Sequence, residues 1–283
     1  MADGILKIAT CQFPVSEFID SNSRYIQEFM NEAKLLDADI VHFSECALSG
    51  YAGVDLDTFD EFDWNRLVQE TKKIMALAGK LKIWVALGST HRLTPPNKPH
   101  NCIYLINPQG QIENRYDKRF GTESDLSFYT PGDRFVTFKI NDVNCALLIC
   151  FDLRFPEIYR GLCKLKVQCV LQSFYNARQK EQSVHRHIIR QTMQANAASN
   201  YFWASMANSS AEIAPYASCF IQPDGEIVNE LKLNQPGIMV NAINTGMTFY
   251  DPSAKFRELA MNGKLTNGPG EINDPRSKDT NHL

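Results

Sequence analysis

"YLINPQGQI" (104–112) returns 115 positions later as "CFIQPDGEI" (219–227), with the turn proline, the turn glycine and the apolar positions in the same places. Each copy reads as two short strands joined by a Pro/Gly turn. What precedes each copy is also similar. In the first half, "ILKIATCQF" (5–13) stops at Pro14 and reads as a buried strand. Tyr25, Ile26, Phe29, Met30, Ala33 and Leu36 then recur at helical spacing after a Ser/Asn cluster suited to capping. "DIVHFSE" (39–45) is a strand, Trp64, Leu67, Val68, Thr71, Met75 and Ala78 mark a second amphipathic helix, and "KIWVALGST" (82–90) is a strand again.

The second half follows the same plan. "FVTFKINDVNCALLIC" (135–150) supplies two strands, and Pro156 opens a helix whose apolar stripe is Ile158, Tyr159, Leu162 and Leu165. "QCVLQSF" (168–174) is a strand, residues 181–200 read as a long helix, and "YFWASMAN" (201–208) as a strand. Two halves of this design bury both sheets only by packing sheet on sheet with the helices outside. The expected fold is therefore α/β (α+β by some schemes), a four-layer αββα sandwich. A single domain over 1–266 is expected, followed by the polar, Pro/Gly-rich tail "NGPGEINDPRSKDTNHL" (267–283).

Composition narrows the partners. Net charge is −3 with acids and bases interspersed, which argues for neither nucleic acid nor a membrane surface and leaves small molecules. The eight cysteines form no C-x-x-C pair and lie mostly in apolar stretches, the usage of a reducing compartment. No basic-then-apolar leader precedes Ile5, and no apolar run approaches the roughly 18 residues that span a bilayer. A cytoplasmic protein is expected.

Three reactive side chains fall just past predicted strands: Glu45, Lys118 and Cys150. Ligand sites in α/β sheets collect at such ends. Each has an ordinary alternative, since Cys in an apolar run is commonly a small core residue and Glu or Lys a surface charge. Their surroundings are more specific. "FSECALSGY" (43–51), "NRYDK" (114–118) and "CFDLRFPE" (150–157) resemble, in that order, the glutamate, lysine and cysteine segments of the nitrilase superfamily, the carbon-nitrogen hydrolases. The cysteine segment is most similar to the amidase-like branch that includes omega-amidase and the deaminated-glutathione amidase.

The resemblance implies the αββα sandwich, a Glu45, Lys118 and Cys150 triad, and hydrolysis of a small linear amide to carboxylate and ammonia through a cysteine thioester. N-carbamoyl hydrolysis, nitrile hydrolysis and a catalytically silent scaffold on the same fold are the alternatives. In this scheme Cys150 attacks, its thiolate favoured by a helix N-terminus and by Lys118; Lys118 and the Phe151 N–H hold the oxyanion; Glu45 moves protons. No metal or cofactor is called for. The resemblance also implies a second carboxylate near the lysine, with Glu123 as the best match and Asp125 the fallback. Phe174 and Asn176 sit where the family contacts substrate, and a homodimer or higher homo-oligomer is expected.

Arg154 is assigned to a structural ion pair with Asp152 or Glu157, with recognition of a substrate carboxylate as the alternative. The chain departs from the family pattern at Ser44, where a proline usually stands, at Phe120, where a histidine is frequent, and over Asn196–Asn200. His185 and His187 are two apart, on different faces of a helix, and are read as solvated or packed rather than as metal ligands.

Overall fold

The computed structural model describes residues 4–178 and 186–282. The chain divides into a large unit, Met1–Phe249, and a small one, Tyr250–Leu283. The expected division at 266 thus moves to Phe249. The small unit carries a helix over Ala254–Met261, within the span expected for the single domain.

In the large unit, β1 (Ile5–Gln12), α1 (Ile19–Leu35), β2 (Ile40–His42), α2 (Trp64–Leu81), β3 (Trp84–His91), β4 (His100–Ile106) and β5 (Ile112–Asp117) form the first half. After a short helix α3 (Glu123–Phe128), the second half runs β6 (Thr137–Ile140), β7 (Val143–Ile149), a 3-10 turn (Cys150–Arg154), α4 (Pro156–Lys164), β8 (Cys169–Ser173), α5 (Ile189–Asn200), β9 (Trp203–Ala207), β10 (Cys219–Ile221) and β11 (Ile227–Glu230). A last strand, β12 (Gly237–Asn244), returns to pair antiparallel with β1. The two six-stranded sheets have the orders β12-β1-β2-β3-β4-β5 and β11-β10-β9-β8-β7-β6. Of the long helix expected over 181–200, α5 takes Ile189–Asn200, residues 186–188 form a turn, and residues 181–185, His185 among them, lie outside the described residues. His187 is exposed.

The period of two along each strand sorts its side chains between layers. Leu6, Ile8, Ile40 and Ala86 face the second sheet and join Leu147 and Leu171 in the inter-sheet core. Ala9, Cys11, Val41, Val85 and Leu87 face the other way, onto Ile26, Met30 and Ala33 of α1 and Ile74 and Ala78 of α2. Tyr159 and Leu162 of α4 and Met193 and Ala197 of α5 cover the second sheet. The result is the four-layer αββα arrangement.

The repeated hairpin is the same device in both halves. Asn107 N–H donates to Gln111 O at 2.8 Å and Gln222 N–H to Glu226 O at 3.0 Å, and Gly110 and Gly225 both take positive φ. Each glycine also seats its turn against the second helix of its half. A Cβ there would lie 2.5 Å from Met75 O of α2 or 3.0 Å from Gln194 O of α5.

Gly88 of β3 decides where the chain after β2 can run. A Cβ on it would lie 1.9 Å from the Ser44 carbonyl oxygen, so the backbone carrying Glu45 presses directly on β3. Gly88→Ala is expected to lose about 1–3 kcal/mol of stability and to displace the Glu45 segment. Urea unfolding checks this, and a change within about 0.5 kcal/mol would contradict the close approach.

Candidate active site

The ends of β2, β5, β7 and β8 lie together at one edge of the sandwich. Glu45 follows β2 and is fully buried. Its Oε1 accepts from Lys118 Nζ and from Asn101 Nδ2, each at 2.7 Å, and its Oε2 accepts from the Tyr175 N–H at 2.9 Å. Both oxygens are thus held, one by donors from the first sheet and the other by the second. Its own N–H donates to Phe174 O at 3.2 Å.

Lys118, next after β5, has its ammonium between two carboxylates, at 2.7 Å from Glu45 Oε1 and 2.9 Å from Asp125 Oδ2. It also lies 5.7 Å above the Tyr51 ring. Asp125 is therefore the second carboxylate, and Glu123 is not: Glu123 is exposed. The reason is the helix start. Thr122 caps α3 and Asp125 closes the capping box, which turns the Asp125 carboxylate back onto the Thr122 N–H at 2.9 Å and inward to Lys118. Tyr51 O–H also donates to it.

Cys150 takes a left-handed φ of 36°, rare for a side-chain-bearing residue and characteristic of functional turns. It opens the 3-10 turn, whose geometry is fixed from below by the buried Asp152. That carboxylate accepts from Tyr116 O–H at 2.8 Å and from the N–H groups of Ile149 and Phe120, each at 3.0 Å. Cys150 as a residue is half-buried. Asn176 Nδ2 lies 3.6 Å from its sulfur. The Asn176 carboxamide is oriented by Tyr216 O–H, which donates to Oδ1 at 2.6 Å, and the Asn176 backbone is held by its N–H, which donates to Asn208 Oδ1 at 2.8 Å.

The expectation of a thiolate favoured by a helix N-terminus does not survive. Helix α4 begins only at Pro156, beyond the 3-10 turn. Burial first, and then the Glu45 carboxylate, push the Cys150 thiol well above its ordinary value, and Lys118 only partly offsets them. The nearest charges act in the same direction as burial: Glu45 and Asp125 against the Lys118 ammonium sum to −1, and a thiolate would make that −2. Burial would pull Lys118 down, but Glu45, Cys150 and Asp125 outweigh it, so the ammonium persists. Burial raises Glu45 against the pull of Lys118, whereas Asp125, although burial opposes it, is lowered by Lys118 and Tyr51. The resting pair is a thiol beside a carboxylate of raised basicity.

Cys150, Lys118 and Asp125 open onto a cavity of about 720 Å³ also lined by Tyr51, Phe151 and Asn176 among others. Phe174 also lines it, and is itself buried. Arg154 lines it too, and its assignment to a structural ion pair is not met. Asp152 is occupied by Tyr116 and two backbone amides, Glu157 is exposed, and among the described residues the buried Arg154 Nη1 has no hydrogen-bond partner. Arg178, the other guanidinium of the wall, is paired with Asp55 and Glu212. A second hollow of about 760 Å³ near α1 is bordered by Asp20, Asp57 and Asp60 and has neither cysteine nor lysine in its described wall.

The departures from the family pattern have visible consequences. Among the described residues the buried Ser44 Oγ has no partner, and Phe120 stacks on Phe155 with ring centroids 3.7 Å apart. Sequence reasoning did not single out Tyr51, Asn101, Tyr175 or Tyr216. Asn101 had a signal, a polar residue in a strand at an inter-sheet position. Tyr175 had none, since it contributes through its backbone.

The carbon-nitrogen hydrolase family model matches residues 7–249. Among curated proteins, a "Hydrolase in agr operon" from Staphylococcus aureus is 29% identical over 80% of this chain and 87% of its own length. An "(R)-stereoselective amidase" from a Pseudomonas species is 26% identical over 82% and 84%. Among solved structures, a mutant of a Nesterenkonia amidase from the nitrilase superfamily superposes with a TM-score of 0.75 at 19% identity, covering 91% of this chain and 97% of that one.

Because Glu45 is one of the two negative charges that hold the proton on sulfur, Glu45→Gln should move the Cys150 thiolate titration to lower pH. The thiolate fraction near neutral pH should rise about tenfold or more, read by ultraviolet thiolate absorbance against a Cys150→Ala blank. An unchanged or higher titration point would contradict the charge balance.

Proposed function

The chain belongs to the carbon-nitrogen hydrolase family, and on that premise we propose that it is an amidase which cleaves a small linear amide through a thioester on Cys150. The observation that carries this reading is the placement of one ammonium, Lys118 Nζ, between Glu45 and Asp125 at the wall of the cavity into which Cys150 opens.

The reaction follows from the charges. Glu45 takes the proton of the Cys150 thiol as sulfur adds to the amide carbon, so no net charge is created in the buried site before the bond forms. The negative charge moves to the amide oxygen, where Lys118 Nζ and the Phe151 N–H meet it. The carbon–nitrogen bond breaks as Glu45 returns the proton to nitrogen, releasing ammonia and leaving the acyl thioester. Water then gives a proton to Glu45 and adds to the thioester carbon. Collapse expels the Cys150 sulfur, which recovers the proton, and the carboxylic acid leaves. Asp125 keeps Lys118 in place and charged throughout.

The acyl part of the substrate carries a carboxylate. Arg154 supports this, because its Nη1 is desolvated at the cavity wall and unpartnered, whereas Arg178 is already neutralised by Asp55 and Glu212. A half-buried guanidinium with a desolvated free donor is matched by an anionic group that offers two oxygens. The free state of all eight cysteines supports the reading that the protein works in a reducing compartment.

Ammonia release across ω-amides, neutral amides, ureido acids and nitriles tests the activity. Cys150→Ala should abolish turnover of the preferred amide with the fold intact, and retained turnover would contradict the mechanism. Arg154→Met should raise KM for a carboxylate-bearing amide about 10- to 100-fold and leave a neutral amide within about twofold. Equal losses on both would remove Arg154 from substrate recognition.

A further inference from the structure

One line of polar side chains crosses the mostly apolar layer between the sheets, and the chemistry above does not use it. Thr10 of β1 and His42 of β2 come from the first sheet, Ser173 of β8 and Ser205 of β9 from the second, and all four are fully buried. Thr10 Oγ1 lies 2.7 Å from Ser205 Oγ, which lies 2.8 Å from His42 Nδ1. His42 Nε2 lies 3.1 Å from Ser173 Oγ, which donates to the Phe43 carbonyl at 2.7 Å.

Proton accounting fixes every direction in this line. A carbonyl only accepts, so the single hydroxyl hydrogen of Ser173 is committed to Phe43 O, and Ser173 must accept from the ring. The hydrogen is therefore on His42 Nε2. Both ring nitrogens meet hydroxyls only, with no carboxylate to support a second proton, and burial lowers the imidazole to about 3. Nδ1 is then bare and accepts from Ser205, whose only hydrogen is thereby used, so Thr10 donates to Ser205. The order runs Thr10 to Ser205 to His42 to Ser173 to Phe43 O.

This line ends two residues before Glu45 and joins a row of contacts between the same two segments. Glu45 N–H donates to Phe174 O at 3.2 Å, and Tyr175 N–H donates to Glu45 Oε2 at 2.9 Å. The Phe43–Glu45 stretch is thus fastened to Ser173–Tyr175 from the strand ends outward to the catalytic carboxylate.

We infer that His42, held as the neutral tautomer with its hydrogen on Nε2, is a positioning residue for Glu45: by donating to Ser173 it directs that hydroxyl at Phe43 O and sets the carboxylate against Tyr175 and Cys150. The inference rests on Glu45 being the proton carrier proposed above. His42 touches no substrate, so its loss changes turnover and not binding.

Two measurements on the full chain test this. In nitrogen-15 NMR of the wild-type protein, the His42 ring hydrogen is expected on Nε2 alone and unchanged from about pH 5 to about pH 9. A hydrogen on Nδ1, or a titrating ring, overturns the assignment whatever the variants do. In kinetics, His42→Phe should lower kcat about tenfold or more with KM within about twofold, and His42→Gln, whose carboxamide offers one donor and one acceptor, should recover most of the loss. Full kcat in His42→Phe, or a loss that Gln does not restore, overturns the positioning role. If the wild-type chain hydrolyses no amide at all, the amidase reading fails, and the NMR result still decides the tautomer independently.

Discussion

A buried carboxylate ties the ends of this molecule's two sheets together beside the cavity. Glu45 has no exposure to solvent and both of its oxygens are occupied, one by Lys118 and Asn101 from the first sheet and the other by the Tyr175 N–H from the second. An ionised carboxylate taken out of water is costly unless its lone pairs are met by strong donors. That requirement constrains the rest: Gly88 must lack a side chain so that the Glu45 backbone can approach β3, and Asp125 must balance Lys118. Asp152 must hold the tight turn that brings Cys150 to the cavity.

The same desolvation decides the chemistry. In water a thiol beside an ammonium would tend toward thiolate, but two carboxylates share this low-dielectric space with one lysine, and the proton stays on sulfur. On the proposed mechanism, nucleophile activation is therefore coupled to proton transfer rather than stored in advance. A resting thiol beside a basic carboxylate also limits adventitious alkylation or oxidation until a substrate carbonyl is in place.

Much of this was legible in the sequence, because the deciding signals are local. The repeated Pro/Gly hairpin showed two similar halves, strand and helix periods showed which faces needed covering, and reactive residues immediately after strands marked the edge where the site lies. What could not be read depends on contacts between distant segments or on backbone alone. Glu123 and Asp125 are two apart, and only the capping geometry at Thr122 turns the latter inward. The fate of Arg154 depended on Asp152 being taken by Tyr116, a pairing of remote strands that carries no sequence pattern. β12, which closes the first sheet beside β1, belongs to a stretch that the repeat of the hairpin did not extend to.

The central claim, that the cysteine following β7 forms the covalent intermediate with help from Glu45, is tested most directly by intact-mass and peptide-mapping analysis of the protein quenched during turnover of its preferred amide. The account predicts a mass increase equal to the substrate less ammonia, located on the peptide containing Cys150 and absent from the peptides of the other cysteines. An adduct on Cys163 or another residue, or steady turnover with no acyl adduct under quench conditions that preserve a thioester, would contradict it.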